Sequence, residues 1–147
     1  FAVLAGAAAA APQFGPVIGP VPFLLAAVLF LWTPPHFWSL AVARGEDYRR
    51  AGIPMLPVVT GPEVWGPAIF GHVLALVALS FLPLWFGMGW IYGLFAALGG
   101  LPFLVASWRL LHAPTRAAAT RTFRASLAQF ALLSAGVILD EAFRWAF

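Results

Sequence analysis

Charge is absent from Phe1 to Ala43 and again from Val64 to Trp108. Each run is about twice the ~20 apolar residues that one helix needs to cross the hydrocarbon of a bilayer, so each has room for two crossings. Pro12, Gly15, Pro16, Gly19, Pro20 and Pro22 interrupt the first run, which predicts the end of one helix, a loop, and a new helix over Val21–Ala43. Gly87-Met88-Gly89 interrupts the second run and predicts helices over Val64–Phe86 and Trp90–Leu111 joined by a short turn. A fourth helix is expected over Phe123–Phe143. Its uncharged centre, Ala125 to Leu139, is too short to span alone and needs Phe123 at one end and Ala142-Phe143 at the other. The expected fold is all-α: a multi-pass transmembrane bundle of about four spanning helices with an N-terminal remnant, forming one membrane domain over 1–147. Loops over 44–63 and 112–122 complete it.

Composition removes the soluble alternative. Of 147 residues, 63% are apolar and 9% charged, with a mean hydropathy of +0.93, whereas an ordinary soluble domain is about a quarter charged. All eight basic residues are Arg, and the chain has no Lys, Asn or Cys, which excludes disulfides and thiolate metal sites. A net charge of +3 spread this thinly is not the dense basic face of a nucleic-acid binder. It is distributed as loop charge instead. Arg44, Arg49 and Arg50 follow the first spanning helix, Arg109, Arg116, Arg121 and Arg124 follow the third, and the turn at Gly87–Gly89 carries none. The positive-inside bias therefore places both Arg-bearing loops in the cytoplasm and Asp140, Glu141 and Arg144 at the outer face. Trp65, Trp85, Trp90 and Trp145 fall at expected helix ends, as an interfacial belt requires, while Trp32, Trp38 and Trp108 lie further inside. The start at Phe1, with no charged leader, reads as part of a longer chain without a signal peptide.

Chemistry concentrates in Trp32-Thr33-Pro34-Pro35-His36-Phe37-Trp38 and in the segment from Arg44 to Pro57. Two adjacent prolines remove two amide donors and are expected to break the helix near Leu31, a break tolerated only beside protein or a watery cavity. His36 follows the break, on the same helical face as Leu40 and Arg44. Its imidazole is open to three roles: a hydrogen-bonded core residue, a ligand to a metal or haem iron, or a group that handles a proton or orients a substrate. Glu46 and Asp47, flanked by Arg44, Arg49 and Arg50, either balance their own arginines in a solvated loop or hold Mg²⁺ with a polyphosphate. In the second case the cation takes one or two carboxylates and the guanidiniums take the phosphate bidentately. Arg116, Arg121 and Arg124 could meet a diphosphate, but the positive-inside rule already accounts for them, and the remaining candidates read as structural. His72 is expected to bond a backbone acceptor, His112 and Glu63 to complement helix ends, and Gly99-Gly100 with Pro102 to permit close helix approach.

The same stretches, Phe30 to Trp38 and then Glu46-Asp47-Tyr48-Arg49-Arg50-Ala51-Gly52-Ile53-Pro54-Met55-Leu56-Pro57, resemble the protohaem IX farnesyltransferase (haem O synthase) family of the intramembrane aromatic prenyltransferase superfamily. Phe123, Ser126 and a last helix ending in Leu139-Asp140 resemble that family's C-terminus. The resemblance covers nearly all of the chain but only about the second half of a family member, a larger bundle of the nine-helix type. It departs from the superfamily pattern twice. An Asn-x-x-x-Asp-x-x-x-Asp motif is impossible without Asn, and at the spacing of the second motif, Asp-x-x-x-Asp, stand Arg44 and Tyr48 with Glu46 and Asp47 between them.

The resemblance implies transfer of a farnesyl group from farnesyl diphosphate to a vinyl group of haem b, giving haem O, with Mg²⁺ as cofactor, in the bacterial inner membrane. It implies His36, Asp47 and Arg50 as catalytic residues, Arg44, Glu46, Tyr48, Arg49 and Trp32 as substrate-binding residues, and Asp47 and Glu46 as metal ligands. Its implied partners are farnesyl diphosphate, haem b, the lipid bilayer and haem A synthase or terminal-oxidase assembly proteins, with no nucleic acid. A half-length chain is expected to be inactive alone. Three alternatives stand beside it: a haem-binding electron-transfer or assembly subunit with His36 and His72 as ligands, a transporter lined by the broken helix, and a quinone-type prenyltransferase of the same superfamily.

Overall fold

A computed structural model of the chain describes residues 2–10 and 19–146; Pro12, Gly15 and Pro16 of the expected interruption lie outside the described residues. Helix α1 covers Ala2–Ala10, α2 Pro20–Ala43, α3 Gly45–Arg50, α4 Leu56–Val59, α5 Pro62–Ser80, α6 Trp90–His112 and α7 Arg116–Ala146, with a 3₁₀ segment over Leu82–Phe86. Four of these spans, Pro20–Ala43, Pro62–Phe86, Trp90–His112 and Arg116–Ala146, are long and apolar enough to cross a membrane. The described residues contain no strand. The spanning helices form a ring in which α2 packs on α5, α5 on α6, α6 on α7, and α7 back on α2. Val28, Ile69, Val73, Leu76, Tyr92, Phe103, Leu110 and Leu133 fill its interior.

Several boundaries differ from expectation for local chemical reasons. Helix α2 runs unbroken through Pro34-Pro35, because a proline's fixed φ is compatible with helix and only the carbonyls one turn earlier lose their donors. The second span leaves α-geometry at Ser80 and continues as a 3₁₀ segment. Pro83 cannot donate to the carbonyl of Leu79, and the tighter bond from Leu84 N–H to Phe81 O, at 3.2 Å, takes over. Gly87, at φ +100°, ends that segment in the left-handed region a side chain would disfavour. Helix α7 begins at Arg116 rather than Phe123, since the Thr115 hydroxyl accepts the Ala118 N–H at 3.1 Å as an N-cap. The expected loop over 112–122 shrinks accordingly, and the loop over 44–63 contains α3 and α4. Trp65 is not a belt residue: it is 5% exposed in the core, against 75%, 70% and 88% for Trp85, Trp90 and Trp145.

Two features hold α7 in place. Glycine lets backbones meet: a Cβ on Gly99 would stand 2.9 Å from the Cα of Gln129, and one on Gly136 would stand 2.7 Å from the Cβ of Phe95. In lipid, where apolar contact between helices displaces no water, such close approach is a main source of association. At the far end of α7, Asp140 is almost fully buried. Its carboxylate accepts the N–H groups of Gly89, at 2.6 Å, and Tyr92, at 3.2 Å, thereby capping the N-terminus of α6. Tyr92 donates its hydroxyl to the carbonyl of Ser80 at 2.7 Å, and Arg144 donates to Gly87 O at 2.8 Å. Side chains of α7 thus hold the Gly87–Gly89 turn at both of its ends, and Tyr92 ties α6 to the end of α5.

Gly99→Ala is expected to lower the thermal midpoint in detergent, because the atom in the way is backbone and cannot rotate aside; overpacking of this kind costs about 1–3 kcal/mol. Gly71→Ala, which meets nothing within 4 Å, is expected to leave the midpoint unchanged or raised. Asp140→Ala is expected to destabilise by about 1–2 kcal/mol through loss of the α6 cap. A midpoint unmoved by Asp140→Ala in circular-dichroism melts contradicts that role.

Candidate functional site

The unbroken course of α2 places Trp32 and His36 one turn apart on the face turned toward α7. Their rings stack with centroids 4.1 Å apart and planes 19° from parallel. Both side chains are anchored on one residue of α7. Trp32 donates its Nε1–H to the backbone carbonyl of Ser126 at 2.9 Å, and His36 Nδ1 lies 2.8 Å from the Ser126 hydroxyl. That hydroxyl donates its single proton to the carbonyl of Phe123 at 2.7 Å. Its oxygen therefore accepts Nδ1–H from His36, and the neutral imidazole keeps its lone pair on Nε2. Phe123 lies against the ring at 4.8 Å, and Phe37 meets it edge-on at 5.1 Å. His36 is buried, so the cluster forms a rigid aromatic wall with one nitrogen base in it.

The seam between α2 and α7 opens on both sides of this wall. Toward the C-terminus of α2, a cleft of about 310 Å³ is lined by Leu40, Ala43, Arg44, Arg116, Thr120, Phe123 and Arg124. Toward the N-terminus of α2, an apolar groove of about 270 Å³ is lined chiefly by Leu25, Leu29, Phe130, Leu133, Val137 and Ile138. Charge, aromatic base and apolar groove follow one another along a single seam.

The carboxylates expected at a metal site sit apart from the cleft, on α3. Glu46 pairs with Arg49 at 2.6 Å and Asp47 with Arg50 at 2.5 Å, each three residues on, and Arg44 stands 3.9 Å from Asp47. All four of these α3 side chains are more than half exposed, so the pairs contribute little to stability. Tyr48, between them, is half-buried. No group of three or more His, Asp or Glu that would enclose a metal occurs among the described residues. The two neighbouring carboxylates match the one or two that Mg²⁺ takes from protein when phosphate oxygens supply the rest.

The other histidines are engaged locally. His72 Nδ1 bonds Ala68 O at 2.8 Å and meets Trp38 edge-on at 5.1 Å; His112 Nδ1 bonds Trp108 O at 2.9 Å. His36 and His72 thus stand in different surroundings, one tied to α7 and one to its own helix. Reading the sequence alone left out three elements of the site. Arg116 and Arg124 were attributed to loop charge, because their common face with Thr120 exists only if α7 begins before them. Ser126 carried no signal as the anchor of two side chains. Gln129, one turn further, is 2% exposed and its Nε2 has no hydrogen-bond partner among the described residues, and no spacing rule singles out a lone glutamine.

Comparison with known proteins places this geometry. The model of the UbiA prenyltransferase family matches residues 1–133. Protoheme IX farnesyltransferase 2 of Paramagnetospirillum magneticum is 51% identical over 140 residues, covering 95% of this chain and 47% of that protein. Protoheme IX farnesyltransferase of Leptothrix cholodnii is 44% identical over 125 residues, covering 84% and 41%, and that of Cupriavidus metallidurans is 41% identical over 147 residues, covering 97% and 48%. The chain spans less than half the length of each of these relatives. No solved structure matches it. A helical chain with four membrane-spanning segments, matched by the family model over nearly its whole length, belongs to the UbiA prenyltransferase family.

Proposed function

We propose that the chain forms the C-terminal part of a protohaem IX farnesyltransferase, which transfers the farnesyl group of farnesyl diphosphate to a vinyl group of haem b and yields haem O and diphosphate. The observation that carries this reading is the order along the α2–α7 seam: an arginine-lined cleft, a stacked Trp32–His36 wall, then an apolar groove. The names of the relatives support the same acceptor and donor. An arrangement of this kind suits two amphiphilic substrates whose charged ends stay near the membrane surface while their apolar parts enter the bundle.

In the proposed reaction the allylic C–O bond of the donor breaks and diphosphate departs. The vinyl terminus attacks the freed farnesyl carbon, and water adds to the remaining vinyl carbon and loses a proton. Asp47 and Glu46 would hold Mg²⁺, which when bound supplies positive charge to the leaving diphosphate. Arg49 and Arg50, now paired with these acids, are free to turn to phosphate oxygens once the acids take the cation. Arg44 lies between α3 and the cleft and serves both. Trp32, Tyr48 and the aromatic wall contact the substrates, and the dry bundle interior protects a carbocation from premature capture. His36, with its lone pair on Nε2, orients or ligates the tetrapyrrole or accepts the proton that water releases. The Arg-bearing end faces the cytoplasm, the membrane is the bacterial inner membrane, and proteins that use haem O in oxidase assembly are the expected protein partners.

In the full-length enzyme, Asp47→Asn is expected to reduce haem O formation by about 100-fold or more, the scale of one lost electrostatic contact to a leaving group, with a smaller loss for Glu46→Gln. His36→Ala is expected to reduce product while leaving the Mg²⁺ requirement unchanged. Chromatographic assay of haem O decides: if Asp47→Asn and His36→Ala both form it at the wild-type rate, the site assignment is wrong. The isolated 147-residue chain is expected not to turn over, since the superfamily's first Asp-rich motif, Asn-x-x-x-Asp-x-x-x-Asp, is absent from a sequence without Asn. Product from that chain would contradict this division of the site.

A further inference from the structure

The cleft at the C-terminal end of α2 carries three guanidiniums and no acid. Arg116, Thr120, Phe123 and Arg124 form one stripe on the first two turns of α7, and Leu40, Ala43 and Arg44 face them from α2. Arg116 and Arg124 have no ion pair or side-chain hydrogen bond among the described residues. This distinguishes them from Arg44, Arg49, Arg50 and Arg144, each of which has a carboxylate within 4 Å. Unanswered guanidiniums gathered on one cleft are a site for an anion. Asp47 stands beside Arg44, at 3.9 Å, but no carboxylate lines the cleft itself among the described residues, so the cleft suits an anion that binds guanidiniums without a metal. Its inner wall is Phe123, which also lies 4.8 Å from the His36 ring in the Trp32–His36 stack. A ligand entering here meets positive charge first and flat aromatic surface next.

We infer that this cleft binds the carboxylates of the acceptor: the two propionates on one edge of the tetrapyrrole meet Arg116, Arg124 and Arg44, with the Thr120 hydroxyl beside them, while the macrocycle lies along Phe123 and His36. The inference rests on the reading that the acceptor is haem. It assigns donor and acceptor anions to different places, with the diphosphate on α3 and the carboxylates in the cleft. Arg44, which lines the cleft and stands 3.9 Å from Asp47, adjoins both.

The test measures quenching of tryptophan fluorescence by protoporphyrin IX and by its dimethyl ester, with the protein in phosphatidylcholine nanodiscs. The diacid is expected to bind at least tenfold more tightly than the ester. In the Arg116→Gln/Arg124→Gln variant the preference is expected to fall below twofold with ester affinity unchanged. Arg109→Gln/Arg121→Gln, which removes equal charge from the same end outside this cleft, is expected to keep the preference. Equal binding of diacid and ester by the wild type overturns the inference, as does loss of preference in the Arg109/Arg121 control. Displacement of the diacid by inorganic diphosphate gives the cleft to the donor, and its displacement by added phosphatidylglycerol gives it to a lipid headgroup; either result also overturns the inference. Absence of binding by both porphyrins counts against the haem reading itself, whereas equal binding leaves that reading standing.

Discussion

The hydrogen bonds from Trp32 and His36 to Ser126 tie α2 to α7, and both openings along the seam are what that tie leaves on either side. The other contacts of the ring join helices that follow one another in the chain; this one joins the first spanning helix to the last and closes the ring. In a bilayer, apolar faces gain little by leaving lipid for each other. Interhelical polar bonds, worth about 0.6–1.7 kcal/mol each, and close backbone approach therefore weigh more heavily than in water. A serine suits this position because its small side chain admits two aromatic rings while its hydroxyl and carbonyl offer separate acceptors. The same hydroxyl fixes the tautomer of His36, so the structural tie also sets the chemistry of the one buried base in the seam.

The two ends of the bundle solve opposite electrostatic problems. At the Gly87–Gly89 end, Asp140 supplies negative charge to the N-terminus of α6, Arg144 bonds Gly87 O, and Tyr92 bonds Ser80 O at the end of α5. At the other end, the C-terminus of α2 and the start of α7 bring Arg44, which stands 3.9 Å from Asp47, together with Arg116 and Arg124, which have no acid partner among the described residues. Guanidiniums gathered in this way repel one another unless water or a ligand screens them. One end is closed by internal pairing, and the other is left open to anions.

How far the sequence reveals this depends on the physics that produces each part. The spans were legible because a bilayer imposes length and apolarity on every crossing, and the Pro34-Pro35-His36 and Glu46-Asp47 segments stood out against an uncharged background. Helix ends were less legible. Thr115 as N-cap and Pro83 as a donor gap are local signals that hydropathy averages away, and the missed start of α7 hid the stripe shared by Arg116 and Arg124. Asp140 and Ser126 were opaque for another reason: each acts across the bundle, Asp140 on residues 48 and 51 positions away and Ser126 on residues 90 and 94 away. No periodicity in one sequence reports such partners. Trp65 shows the converse error, since a position at a helix end does not fix which way the indole turns.

If the chain acts on two amphiphiles as proposed, the placing of the α3 acids outside the arginine cleft bears on how the two anionic ends are kept apart. A diphosphate carries more charge than guanidiniums alone neutralise in a dry site, so it belongs where carboxylates can recruit a cation. A carboxylate carries less, and a cation-binding acid beside it would repel it. Glu46 and Asp47 lie on a short exposed helix, paired with Arg49 and Arg50; on the proposed reading those pairs hold the acids neutralised until a cation and a phosphate exchange the partners. Keeping Arg116 and Arg124 on a spanning helix fixes their positions by the same packing that fixes Ser126. On the proposed reading, the exposed ion pairs of α3 fall on the side of the departing group, and the unpaired Arg116 and Arg124 on the side of the group that must be held still during bond formation.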